Sequence, residues 1–158
     1  ILSDGSLDYA DDLLASFDFV IAAVHSGFSM DQEEMTRRII NALDNPYTTM
    51  LAHPTGRLLL SRQEYPLNID KILEKAAETG VYIEINANPH RLDMDWRLCR
   101  RGKELRVNFF IGTDAHSVET LKHTSYGVWM ARKGWLEKGD ILNCLNYHEL
   151  KDVLGKSK

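Results

Sequence analysis

Residues 107–117 read VNFFIGTDAHS, and this stretch decides the fold. Val107, Phe109, Phe110 and Ile111 form an apolar run of strand length that stops at Gly112, the pattern of a strand buried on both faces. Asp114 and His116 stand directly beyond it. Three earlier stretches share this pattern. FDFVIAAVHS (17–26) ends at His25, and TTMLAHPTGR (48–57) carries His53. VYIEINANPHR (81–91) carries Glu84, Asn86 and Asn88. Strands whose C-terminal ends carry imidazoles and carboxylates build a site at one rim of a sheet or barrel.

The intervening segments read as helices. Met35, Ile39, Ile40 and Leu43 make one stripe over Gln32–Leu43, with Ser29 or Asp31 as N-cap and Asn45-Pro46 as the stop. Asn68 caps a helix over Ile69–Thr79 that Gly80 closes. Asp93 or Asp95 opens another through about Lys103, and Asp8–Phe17 reads as a short helix with acidic residues early. The tail predicts helical pieces over Val118–His123, Tyr126–Lys133 and Gly139–Tyr147, with a last turn at His148–Leu154. Strands alternating with helices predict a parallel α/β arrangement, open or barrel-like. Four strands are few for a closed barrel. Together with a start at Ile1 in mid-pattern, this suggests a chain whose N-terminal strands lie elsewhere.

The chain has 158 residues, 44% of them hydrophobic and 27% charged, enough for one domain with a real core and unlike a disordered segment. The apolar run from Phe19 to Val24 is far too short to span a bilayer, and with no basic n-region and apolar h-region in the first residues, no signal peptide is expected. A net charge of −4 argues against a basic nucleic-acid coat, but not against an enzyme that meets phosphate through metal ions. Cys99 and Cys144 lack zinc spacing and read as free thiols of a cytoplasmic protein.

Each rim residue alone is ambiguous. A single histidine at a strand end is more often a hydrogen-bonded structural residue than a ligand. Asp114 and His116, two apart on an extended segment, would point to the same side and approach neighbouring metals. Glu84 reads equally as a ligand, a base behind the ligands, or a surface carboxylate. Arg57 offers a planar fork for phosphate, or lies solvated in a loop. His90 and Arg91 lie beyond their strand, within reach of a substrate, whereas His123 and His148 read as surface residues. The coincidence of the rim residues carries more weight than any one of them. His and Asp are ligands for zinc, manganese or iron. No G-x-S-x-G elbow, P-loop or G-x-G-x-x-G occurs, so the expected chemistry is metal-activated water with Lewis-acid help.

AAVHSGF, LAHPTGR, EINANPHRLD and GTDAHS, in this order, resemble the PHP (polymerase and histidinol phosphatase) domain. ILSDGSLDY near the start and GVWMARKGWLEKGDILN near the end resemble the C-terminal PHP domain of bacterial and archaeal family X DNA polymerases. The resemblance covers nearly the whole chain. It implies a distorted (β/α)7 TIM-like barrel and a metal-dependent phosphoesterase that acts as a 3′–5′ exonuclease in DNA repair, with manganese or zinc as cofactor, up to three ions in the complete domain. Carried over by motif, His25 and His53 would hold one metal, Asp114 a second and His116 a third. His25, Asp114 and His116 would be the catalytic residues. Arg57, Arg91, Asn86 and Asn88 would face the substrate, and DNA would be the partner. The family's HxH pair, further histidines and a shared glutamate have no counterpart here, so residues 1–158 are expected to be the C-terminal portion of one PHP domain. Two alternatives follow: a small phosphomonoesterase of the histidinol-phosphatase kind, or a folded but inactive piece that self-associates through exposed apolar surface.

Overall fold

The computed structural model describes residues 1–155 and shows a mixed α/β chain built on a four-stranded parallel sheet in the order β1-β2-β3-β4. The strands are β1 (Ile21–Ala22), β2 (Met50–Leu51), β3 (Tyr82–Asn86) and β4 (Phe109–Gly112). Ala22 pairs with Leu51, Leu51 with Ile83, and Asn86 with Gly112, so all four C-terminal ends open on one edge. This register puts the rim residues of four separate sequence stretches side by side.

The helices between the strands follow their sequence signals. α1 (Asp11–Leu14) is a single turn, shorter than the apolar spacing suggests. α2 (Gln32–Asp44) starts at Asp31, whose carboxylate accepts from Glu34 N at 2.8 Å. α3 (Ile69–Thr79) starts at Asn68, which accepts from Lys71 N, and ends at Gly80 with φ 76°, the left-handed turn that glycine allows at no steric cost. α4 (Trp96–Glu104) takes Asp95 as its cap, which leaves Asp93 free for another task. Met35, Ile39 and Leu43 of α2 and Ile72 and Leu73 of α3 bury against Leu51, Ile83, Ile85 and Phe109. At about 25 cal/mol per Å², burial of such side chains contributes roughly 1.5–3 kcal/mol each.

The tail departs from its pattern. Val118–His123 is a 3-10 helix that leads into α5 (Thr124–Lys133). Gly139–Tyr147, expected as a helix, is instead two 3-10 turns, Lys138–Asp140 and Leu142–Cys144. Tertiary contacts override the helical spacing there. Ile141 makes a parallel bridge to Phe109, and the Asn143 amide takes both backbone groups of Ile111, accepting from its N–H at 2.7 Å and donating to its carbonyl at 3.1 Å. α6 (Tyr147–Gly155) then packs Leu150, Val153 and Leu154 onto the second face of the sheet, against Met50, Tyr82 and Phe110. Among the described residues no helix is long and apolar enough to cross a membrane.

Candidate active site

His53 follows β2 by two residues and sits in left-handed backbone at φ 31°, an unfavourable conformation for a residue with a Cβ. Two buried carboxylates hold it there. Glu84 accepts from the His53 backbone N–H at 2.6 Å, and Asp93 accepts from Thr55 N, Thr55 Oγ1 and Gly56 N at 3.1, 2.8 and 3.0 Å. Gly112 makes room for the first carboxylate, because a Cβ there would overlap Glu84 Oε1. Burial pushes Glu84 up to about 7 and Asp93 up to about 6, although hydrogen bonds from the His53 and Thr55 segments pull the other way.

The His53 ring is buried, and its Nδ1 has no hydrogen-bond partner. Burial first, then the neighbouring Arg91 and His25, lowers its pKa to about 4, so the imidazole is neutral at pH 7. A neutral ring with an unpartnered buried nitrogen has the chemistry a metal ligand needs, since a buried polar atom otherwise finds a partner. The exposed His25 ring lies 5.3 Å from it, centroid to centroid, tilted by 46°. These two histidines fit a divalent cation. Among the described residues no three His, Cys, Asp or Glu side chains gather closely enough to enclose one by themselves.

The β4 end is organised differently. Asp114 has φ 51°, so the segment turns where the sequence suggests extended backbone. His116 folds back, with Nδ1 2.8 Å from the Asp114 carbonyl and its side chain 86% exposed. The Asp114 carboxylate pairs with Arg91 Nε at 2.8 Å. The two residues are therefore brought together by a turn rather than by a shared strand face.

The structure also places the substrate candidates. Arg57 is 14% exposed, with its guanidinium donating to the carbonyls of Arg91 and Leu92 and lying 3.6 Å from Glu64 and Asp95. It ties the loop after β2 to the loop after β3. Asn86 is fully buried and donates to Glu84 Oε2 at 3.1 Å, while its own carbonyl oxygen Oδ1 accepts from Asn88 N. Asn88 Oδ1 accepts from His90 N, closing the turn that presents Arg91. His123 is half-buried rather than on the surface, and its Nδ1 is also unpartnered. Asp93 is the residue that sequence reasoning missed. Its one signal was that the helix after it had two candidate caps and needed only one.

A parallel sheet whose C-terminal edge collects two imidazoles, a carboxylate–guanidinium pair and two buried supporting carboxylates has the arrangement seen at the sites of α/β enzymes. The relatives agree with that class. The chain is 44% identical over 153 residues to the DNA polymerase/3′-5′ exonuclease PolX of Bacillus subtilis (strain 168), a match covering 97% of this chain and 26% of that protein. It is 34% identical over 122 residues to a probable phosphatase of Thermoanaerobacter sp. (strain X514), covering 72% of this chain and 47% of the relative. A probable phosphatase of Clostridium novyi (strain NT) is 30% identical over 128 residues, covering 74% and 49%. No protein-family model matches. The chain is thus homologous to PolX and to probable phosphatases, and it spans about a quarter of the former and about half of the latter.

Proposed function

We propose that the chain is the phosphoesterase part of a family X DNA polymerase, hydrolysing DNA phosphodiesters at 3′ ends during repair. Residues 1–158 correspond, on this reading, to the C-terminal portion of a PHP domain whose sheet belongs to a distorted (β/α)7 barrel, and the protein works in the cytoplasm with the genome. The observation that carries the reading is the unpartnered, neutral His53 ring beside His25 at the rim, next to the Arg91–Asp114 pair. The homology to PolX supports DNA as the substrate.

His25 and His53 would hold one divalent metal, manganese or zinc, Asp114 a second and His116 a third. When bound, such a metal supplies Lewis-acid activation of the phosphate and of the attacking water. Glu84 and Asp93 fix the His53 loop through its backbone, so the ring need not be ordered when the cation arrives. Arg91 holds the Asp114 carboxylate and brings positive charge to where phosphate oxygens would lie. His116 has its Nδ1 on the Asp114 carbonyl, which leaves Nε2 as the nitrogen that would meet the metal. Arg57 orders the floor of the site through its backbone contacts. The test is hydrolysis of a 3′-recessed DNA with manganese. Turnover should be lost in His25→Ala and in Asp114→Ala, and undiminished activity in both variants would remove the assignment.

A second reading keeps the site and changes the substrate to a small phosphomonoester, which the probable-phosphatase relatives favour. Comparing kcat/KM for histidinol phosphate with that for the recessed DNA decides between them.

A further inference from the structure

The helical segment that follows the rim carries an aromatic surface that the proposed chemistry does not use. His123, Tyr126 and Trp129 are three residues apart, on one side of the helical path from the 3-10 turn into α5. Their rings touch in series. His123 and Tyr126 are 5.7 Å apart at 52°, and Tyr126 and Trp129 are 5.4 Å apart at 81°. Tyr126 is 38% exposed and Trp129 61% exposed. In edge-to-face contact one ring of the Tyr126–Trp129 pair has neither face covered by the other, unlike a closed stack.

The position of this surface is fixed by Gly127. A Cβ there would crowd Ile111 Cγ2 and Ala87 Cβ, so α5 lies backbone-close to the C-terminal ends of β4 and β3. The aromatic row therefore starts at the same edge that carries Asp114 and Arg91. The segment 118–133 also carries Lys122, Arg132 and Lys133, all exposed, against the one carboxylate of Glu119. It is a cationic stretch in a chain of net charge −4.

We propose that His123, Tyr126 and Trp129 form a stacking platform for the unpaired nucleobases of a DNA strand whose 3′ end enters the rim, with the neighbouring lysines and arginine following its phosphates. The proposal rests on the phosphodiesterase reading and adds a base-binding subsite to it. Aromatic faces bind any base, and a platform beside a cationic track is the general means of holding single strands without sequence preference. An exonuclease that removes nucleotides of every kind needs such tolerance.

Two probes separate this proposal from the reading beneath it. One is a fluorescent oligo-dT, read by anisotropy without turnover. The other is bis(p-nitrophenyl) phosphate, a phosphodiester without bases, hydrolysed with manganese. In the full 158-residue chain, Trp129→Ala and Tyr126→Ala should each weaken oligo-dT binding about tenfold, the weight of one base–aromatic stack. Trp129→Phe should restore most of the binding, and bis(p-nitrophenyl) phosphate turnover should stay unchanged. Unaltered oligo-dT affinity in both alanine variants overturns the platform, as does an equal loss on both probes, which would mark the rings as packing. A change in oligomeric state in place of DNA affinity would assign the surface to a protein partner and overturn it too. If the parent hydrolyses neither phosphodiester while Trp129→Ala still loses oligo-dT, the platform stands and the hydrolytic reading falls.

Discussion

The two ends of the candidate site are built in opposite ways. At β2 the loop around His53 is held by four hydrogen bonds to two buried carboxylates, three from backbone N–H groups and one from the Thr55 hydroxyl, and the ring Nδ1 is left without a hydrogen-bond partner. At β4 the side chains hold each other: Asp114 pairs with Arg91 and His116 folds onto its neighbour's carbonyl, both within reach of solvent. One end is preorganised and dry. The other rests on an ion pair that water and salt weaken. The contrast teaches that a side chain's readiness to bind depends less on its own exposure than on what fixes its backbone.

Removing a carboxylate from each end gives the sharpest break. Asp93→Ala leaves the buried Thr55 N–H and hydroxyl without an acceptor and Gly56 N with the His53 carbonyl alone, and should lower stability by about 3 kcal/mol in urea denaturation. A loss below about 1 kcal/mol would mean that the His53 loop is not held as described. Gly112→Ala comes next, since its methyl must displace the Glu84 carboxylate. Overpacking of this kind costs about 2 kcal/mol, and the variant should also lose manganese affinity, because the shifted carboxylate releases the His53 backbone. Unchanged stability and affinity would place the Glu84 side chain elsewhere.

The supporting carboxylates also set a pH dependence. Glu84 and Asp93 have folded-state values of about 7 and about 6, above the ordinary 4.5 and 3.8. Between roughly pH 4 and 7 the folded chain holds protons that the unfolded chain has released. These groups therefore add stability at low pH that is lost as pH rises through 7. His53, held at about 4 against an ordinary 6.5, works in the other direction over the same window. Glu84→Gln removes one side of this balance. Relative to the parent, the variant should gain stability as pH is raised from 4.5 to 7 in metal-free buffer, and a pH-independent difference would contradict the burial of Glu84. The smallest effect belongs to the open end. Arg91→Ala should cost under about 1 kcal/mol in the same denaturation series, because its partner is partly solvated. A loss as large as that of Asp93→Ala would erase the distinction between the two ends.

Much of this arrangement is legible in the sequence. Apolar runs with polar ends marked the four strands, and Asp31, Asn68, Gly80 and Asp95 marked the helix ends where the structure has them. Local chemistry carries such signals, because a cap or a left-handed glycine acts within a few residues. The illegible parts depend on distant partners. Asn143 leaves its helical pattern to bond Ile111, 32 residues away, and Asp93 reaches back 38 residues to Thr55. The turn at Asp114 defeats the two-residue alternation because Arg91, 23 residues earlier, takes its carboxylate. The open edge at β1, with Phe17, Phe19 and Ile21 exposed, was foreshadowed only as a general liability of few strands.

The central claim is that His25 and His53 form the first half of a metal site. Native mass spectrometry of the chain loaded with manganese or zinc tests it most directly. The account predicts a specifically bound ion that is lost in His53→Ala and weakened in His25→Ala, while His148→Ala, altered at an exposed residue of α6, keeps it. Metal uptake that is absent in the parent, or unchanged when His25 and His53 are both replaced, would contradict it.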